Sequence, residues 1–341
     1  MSNSTVVPVA PIVLPTISNF NFFNSDVFQI IPDKFNAGLS GHFKPKYPWA
    51  YEKFLLAGVN AWKSSDIDLS LDVAFWFDNI MSVKSRARLL DALGLLVVTD
   101  NYVADNVVFS VYQNVAVSEC RQFLLREIFD DYNHIKAYCR VIESLQIDES
   151  LLIDQYYEFN TAQEKDDFIR SGLRYLESSS FGFDENKLDG SFIKGLVMFY
   201  CVVNGLFVDS VFQSQVNVLK NENVRMPGFE KIFQKIYVDK KLHLEFGIEL
   251  INAVKEENPV VWSTRLQIEL VGMLVKALEL ELAHRKKMES DLSNDEMMEL
   301  HRRLEEMVDW YSVRLGLPKI FQHEAAKPIV VESLDNCLVG V

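Results

Sequence analysis

Residues three apart on a helix share a face. Two places in this 341-residue sequence put a histidine three positions after a polar side chain of interest. The first is Asp131-Tyr132-Asn133-His134, where carboxylate and imidazole can grip one ion; that pair suits iron, manganese or zinc. Tyr138 lies one turn further along the same face. Asp100 ends the apolar run Val97-Val98-Thr99-Asp100, and a carboxylate buried there needs a partner, because an unpaired buried charge is costly. The second place is Asp239-Lys240-Lys241-Leu242-His243, with a cation, Lys240, where a ligand would stand. On the residues alone, the second segment reads as a solvated lysine pair with one satisfied histidine. An acid three before a histidine also arises often by chance, so spacing alone does not establish a metal site.

These side chains must be positioned by long helices. From Tyr47 onward, helical spacing predicts elements over about 50–62, 84–112, 117–145, 190–218, 227–256, 264–288 and 294–315. Asp148-Glu149-Ser150 interrupts the chain before a further helix, Thr161 is a candidate cap for the next, and Ser178-Ser179-Ser180-Phe181-Gly182 reads as a loop. Gly316 and Pro318 stop the last helix. No strand alternation or internal repeat is evident, so the fold class expected is all-α, a helical bundle. Residues 1–45, with Pro8, Pro11, Pro15, Pro32 and Pro45, read as an extended N-terminal arm; 46–320 form the helical domain and 321–341 a flexible tail.

The chain is 49% hydrophobic and 24% charged, ample for a large core. A net charge of −14 repels phosphate backbones, so no nucleic-acid partner is expected. The four cysteines, Cys120, Cys139, Cys201 and Cys337, are scattered, which fits a reducing compartment; no secretory signal or membrane span is evident, and a cytoplasmic protein is expected. Cys139 reads as a small buried residue, and Arg285-Lys286-Lys287 as a solvated helix face. Trp49, Trp76, Trp262 and Trp310 read as packing residues, and His284 has no ligand-spaced partner.

Several blocks occur in an order that resembles one family. They are Tyr47-Pro48-Trp49-Ala50-Tyr51 with Asn60-Ala61-Trp62 and Asp66-Ile67-Asp68-Leu69-Ser70; Val141-Ile142-Glu143-Ser144-Leu145; Met226-Pro227-Gly228; Leu242-His243-Leu244-Glu245-Phe246-Gly247-Ile248; and Leu315-Gly316-Leu317-Pro318. Over about 45–320 the chain resembles the small, radical-carrying subunit of class I ribonucleotide reductase. The resemblance implies a ferritin-like helical bundle, a homodimer or a heterodimer with another small subunit, and a large-subunit partner engaged through the C-terminal tail. It also implies two iron or manganese ions held by an Asp, two Glu-x-x-His pairs and one further Glu.

Carried over by position, Asp100 falls on the single Asp ligand, Asp131 on the first Glu, and His134 and His243 on the histidines. Asn204 and Lys240 stand where the other two Glu ligands belong. Tyr138 falls on the radical tyrosine, Trp62 and Asp239 on the radical relay, and Phe212 on the apolar pocket around the radical. With Lys240 present two metal ions are not expected; Lys240 can instead pair with Asp100 and Asp131. A lysine at this position resembles a metal-free branch of the family, whose tyrosine is oxidised with the help of a flavoprotein activator. Two other readings stand beside it: a non-catalytic small-subunit paralogue, and a residual one-ion site on Asp100, Asp131, His134 and His243. After Tyr311 the sequence has no tyrosine to hand a radical across the subunit interface.

Overall fold

The computed structural model describes residues 45–78, 81–178, 190–221 and 225–321. The expected arm and tail, and positions 179–182 of the expected loop, lie outside the described residues. Every regular element among the described residues is helical. In chain order these are α1 (Pro48–Val59), α2 (Ser70–Phe77), α3 (Val83–Tyr102), α4 (Val108–Asn114), α5 (Ser118–Ser144), α6 (Glu149–Tyr156), α7 (Asn160–Ser178), α8 (Ser191–Leu196), α9 (Val208–Asn221), α10 (Pro227–Glu257), α11 (Thr264–Met288) and α12 (Asn294–Arg314).

Local chemistry sets several starts. The Ser82 hydroxyl caps α3, Asp148 caps α6 through the amides of Ser150 and Leu151, and Ser293 with Glu296 forms a reciprocal capping box on α12. Helix α10 begins at Pro227 and is capped from another element. The Asp72 carboxylate of α2 accepts from the amides of Gly228 (3.0 Å) and Phe229 (2.6 Å). A Cβ on Gly228 would lie 2.2 Å from the Asp68 carbonyl oxygen, so only glycine allows that approach.

Two helices expected to be regular are interrupted. Helix α3 runs into α4 through a π-helical turn, Val103–Val107, and α8 runs into α9 through a longer one, Val197–Phe207. The extra residue per turn re-aims the side chains that follow, and such segments concentrate at functional sites. The second carries Tyr200 and Asn204. Ser191–Gln215 is long and apolar enough to cross a membrane, but it is wholly buried within the bundle, so its apolarity belongs to a core helix.

Other expectations shift. Helix α1 ends at Val59, leaving Trp62 in the link, where Asn133 Nδ2 donates to its backbone carbonyl at 3.3 Å. Thr161 lies inside α7 rather than capping it, and its hydroxyl sits 3.0 Å from His284 Nδ1. His284 also has a partner, Asp91 Oδ1 at 3.1 Å from Nε2. Arg285 is buried between Glu281 and Glu289, so only Lys286 and Lys287 form the solvated face. Cys139 is exposed, because it follows Tyr138 onto the outer side of α5.

Candidate functional site

Four helical segments deliver the cluster. Asp100 comes from the end of α3; Glu127, Asp130, Asp131, His134 and Tyr138 from α5; Tyr200 from the π-helical segment; Asp239, Lys240 and His243 from α10. All are buried. The centre is an ammonium: Lys240 Nζ donates to Asp100 Oδ1 at 2.7 Å and to Asp131 Oδ1 at 2.9 Å. The other oxygen of Asp100 accepts from the Tyr138 hydroxyl at 2.9 Å.

The two imidazoles face the cluster through Nδ1 and an outer carboxylate through Nε2. His134 Nδ1 lies 3.5 Å from Asp131 Oδ1 and 3.8 Å from Asp100 Oδ2, while Nε2 is 3.0 Å from Asp239 Oδ2. The same Asp239 oxygen accepts from the Trp62 indole at 2.8 Å, and Trp62 is partly exposed. His243 Nδ1 lies 3.6 Å from Glu127 Oε1 and 3.8 Å from Asp131 Oδ1, with Nε2 3.6 Å from Asp130 Oδ2.

Burial and charge compete at each group. Burial opposes a charged Lys240, but Asp100 and Asp131 outweigh it and raise its pKa. Burial likewise opposes a charged His134, yet its hydrogen bonds to Asp131 and Asp239 raise it to about 9. Against burial, Lys240 chiefly holds Asp131 low, and His134 holds Asp239 low. Glu127 is pushed up to about 7 by burial, partly offset by His243. Burial, with Asp100 beside it, pushes the Tyr138 phenol well above its usual range, so it is a neutral phenol at working pH.

The structure thus brings Asp100, Asp131, His134, Tyr138, Lys240 and His243 into one buried cluster. Trp62 and Asp239 reach the cluster through His134. Phe212 packs against Phe233 and Tyr237 in the same apolar cluster as Tyr138. Asn204 is buried, and among the described residues neither atom of its amide has a hydrogen-bond partner. Sequence reasoning missed Glu127, Asp130 and Tyr200. Glu127 carried a signal: four residues before Asp131 and seven before His134, it shares their face of α5. Tyr200 carried none, because its approach depends on the π-helical register.

The family model for the ribonucleotide reductase small chain matches residues 41–328. The ribonucleoside-diphosphate reductase subunit beta of Chlamydia pneumoniae is 31% identical over 299 residues, covering 85% of this chain and 84% of its own length. Among solved structures, the ribonucleotide reductase R2 subunit from Clostridium botulinum superposes with a TM-score of 0.73 at 18% identity, covering 85% of this chain and 88% of that one. The Rnr4 homodimer of Saccharomyces cerevisiae gives 0.64 at 16%, covering 86% and 88%. At those identities the two structures speak for the fold alone. The family match and the Chlamydia relative carry the membership: this chain belongs to the ribonucleotide reductase small-chain family, and its bundle is ferritin-like.

Proposed function

We propose that the chain is a ribonucleoside-diphosphate reductase small subunit that holds a radical on Tyr138 without a dinuclear metal centre and passes it to a large subunit. The observation that carries this reading is the Lys240 ammonium, 2.7 and 2.9 Å from the Asp100 and Asp131 oxygens that would face a metal pair. Two divalent ions do not fit beside it: they need anionic oxygens to offset four positive charges, and Lys240 and Asn204 remove two carboxylates while adding a cation.

In this reading an external oxidant, such as a flavoprotein activator, takes one electron from Tyr138, and the phenolic proton moves to Asp100 across the 2.9 Å hydrogen bond. Lys240 donates to the other oxygen of Asp100 at 2.7 Å and so anchors the acceptor of that proton. The apolar surroundings, Phe212 among them, keep water from the phenoxyl radical. Re-reduction of Tyr138 runs by way of His134, Asp239 and Trp62, a hydrogen-bonded line from the core to a partly exposed indole. The acidic, apolar segment Val330–Val341 is the proposed docking tail for the large subunit in a cytoplasmic complex, and the chain pairs as a homodimer or with a second small subunit.

A second reading, a non-catalytic paralogue, is favoured by the replacement of two carboxylate ligand positions by Asn204 and Lys240. One experiment separates the two: electron paramagnetic resonance and metal content measured on one aerobic preparation from the native host. A phenoxyl signal without two metals per chain supports the radical subunit, and Tyr138→Phe is then expected to abolish both signal and turnover. No signal, even with an added activator, supports the paralogue.

A further inference from the structure

A second buried tyrosine repeats the arrangement around Tyr138. The Tyr237 hydroxyl donates to Asp209 Oδ1 at 2.8 Å, as the Tyr138 hydroxyl does to Asp100 Oδ2 at 2.9 Å. Each carboxylate also pairs with a lysine of α10: Asp100 with Lys240, Asp209 with Lys241. Tyr237 is 4% exposed and Asp209 1%. Two other buried tyrosines, Tyr156 and Tyr200, donate to Asp166 and Glu127, but among the described residues no lysine bonds either acid.

The second unit lies beside the first. Tyr237 and Lys240 are three apart on α10, which puts their Cβ atoms about 5–6 Å from each other. Lys240 is in turn one carboxylate away from Tyr138. On α9, Asp209 and Phe212 are likewise three apart. The Phe212 ring stands 5.0 Å from the Tyr237 ring, in the buried apolar cluster that also holds Tyr138.

We propose that Tyr237 is a second oxidisable tyrosine, which exchanges the unpaired electron with Tyr138 and uses Asp209 as its proton acceptor. Its native oxidant is the Tyr138 phenoxyl, so this inference rests on the function proposed above, and an activator reaches Tyr237 only by way of Tyr138. In the exchange Tyr237 gives one electron to the Tyr138 phenoxyl, and its phenolic proton crosses the 2.8 Å bond to Asp209. Tyr138 takes that electron together with the proton held by Asp100 and returns to a phenol. One O–H bond breaks at Tyr237 and one forms at Tyr138, so no further oxidant or reductant is needed.

The surroundings require the proton to leave with the electron. Burial, with Asp209 beside it, pushes the Tyr237 phenol well above its usual range, so the ring starts neutral. The Lys241 ammonium, 5.0 Å from the ring centroid, disfavours a positive charge on that ring. Asp209 Oδ2 has no hydrogen-bond partner among the described residues, which leaves the acid room for a proton.

The test oxidises the full chain with a photogenerated ruthenium(III) polypyridyl complex, a one-electron oxidant that needs no native activator, and reads persistent phenoxyl signals by electron paramagnetic resonance. Radicals on exposed tyrosines couple and vanish, so persistence marks a buried ring. Tyr138→Phe is expected to keep a persistent signal, coupled to one exchangeable proton supplied by Asp209. The double variant Tyr138→Phe with Tyr237→Phe is expected to lose it, and wild type to show both components. No persistent signal in Tyr138→Phe, a signal that survives in the double variant, or one without the exchangeable proton overturns the inference. The proton coupling is read on Tyr138→Phe, which deletes a single hydroxyl, so the test survives a double variant that fails to fold. A signal in Tyr138→Phe beside none in Tyr237→Phe would support Tyr237 and count against the Tyr138 reading alone.

Discussion

Lys240 is the residue on which the cluster balances. Its ammonium serves two carboxylates that are sealed from solvent, and removing one partner of a buried ion pair costs far more than the pair is worth against an apolar replacement. Lys240→Met is therefore expected to lose about 3–5 kcal/mol in urea unfolding. The triple variant with Asp100→Asn and Asp131→Asn should recover much of it; no recovery would show that packing, not charge, explains the loss. His134 gives the cluster a pH dependence. Its folded pKa is raised from 6.5 to about 9, so its contribution is complete below pH 6.5 and lost as pH rises through 9. Asp131 and Asp239 are shifted the other way, so their contributions fade only in acid. The unfolding free energy of wild type should fall between pH 7 and 9.5 by up to about 3 kcal/mol, and this slope should be clearly smaller in His134→Gln, where only the likewise raised His243 still contributes. An equal slope in both would place the titrating group elsewhere.

At the scale of elements, the crossing of α10 with the π-helical segment decides where Tyr200 and Glu127 meet. It is made at Gly247, where an added Cβ would stand 1.9 Å from Cγ of the Tyr200 ring. Replacing glycine by alanine inside a helix gains at most about 1 kcal/mol of propensity. Overpacking costs about 1–3 kcal/mol, and a clash with a rigid ring falls at the upper end. Gly247→Ala is expected to be net destabilising in thermal unfolding and to weaken the Tyr200 hydrogen bond to Glu127. An unchanged or higher Tm would mean the crossing relaxes freely.

Long amphipathic helices were legible in the sequence because their signals are local. Helix α10, expected over 227–256, spans Pro227–Glu257, and α11 matches 264–288. The π-helical turns were not legible, because neighbouring helices impose them. Asp100, Asp131, His134, Tyr138 and Lys240 could be named from spacing and resemblance. Glu127 shares the α5 face of Asp131 and His134 but passed for an ordinary helix glutamate, since its contacts Tyr200 and His243 lie 73 and 116 residues away in sequence. Arg285 was misread for the same reason: a basic run looks solvated until Glu281 and Glu289 are seen closing over one member.

At the scale of the whole molecule, α5 has two faces. One presents Glu127, Asp131, His134 and Tyr138 to the core; the other exposes Leu125 (53%), Phe129 (58%) and Tyr132 (50%), spaced four and three residues apart. Such a stripe is the surface a two-fold homodimer would bury, and it would place the two Tyr138 sites back to back across paired α5 helices. Two-fold symmetry counts each substitution twice. A half-exposed phenylalanine brings about 1–2 kcal/mol on burial, so Phe129→Glu should cost at least about 3 kcal/mol per dimer, or roughly two orders of magnitude in Kd. Sedimentation velocity should find wild type dimeric and Phe129→Glu monomeric at micromolar concentration, with the same helical circular-dichroism spectrum. A Phe129→Glu chain that remains dimeric would move the interface off this face of α5.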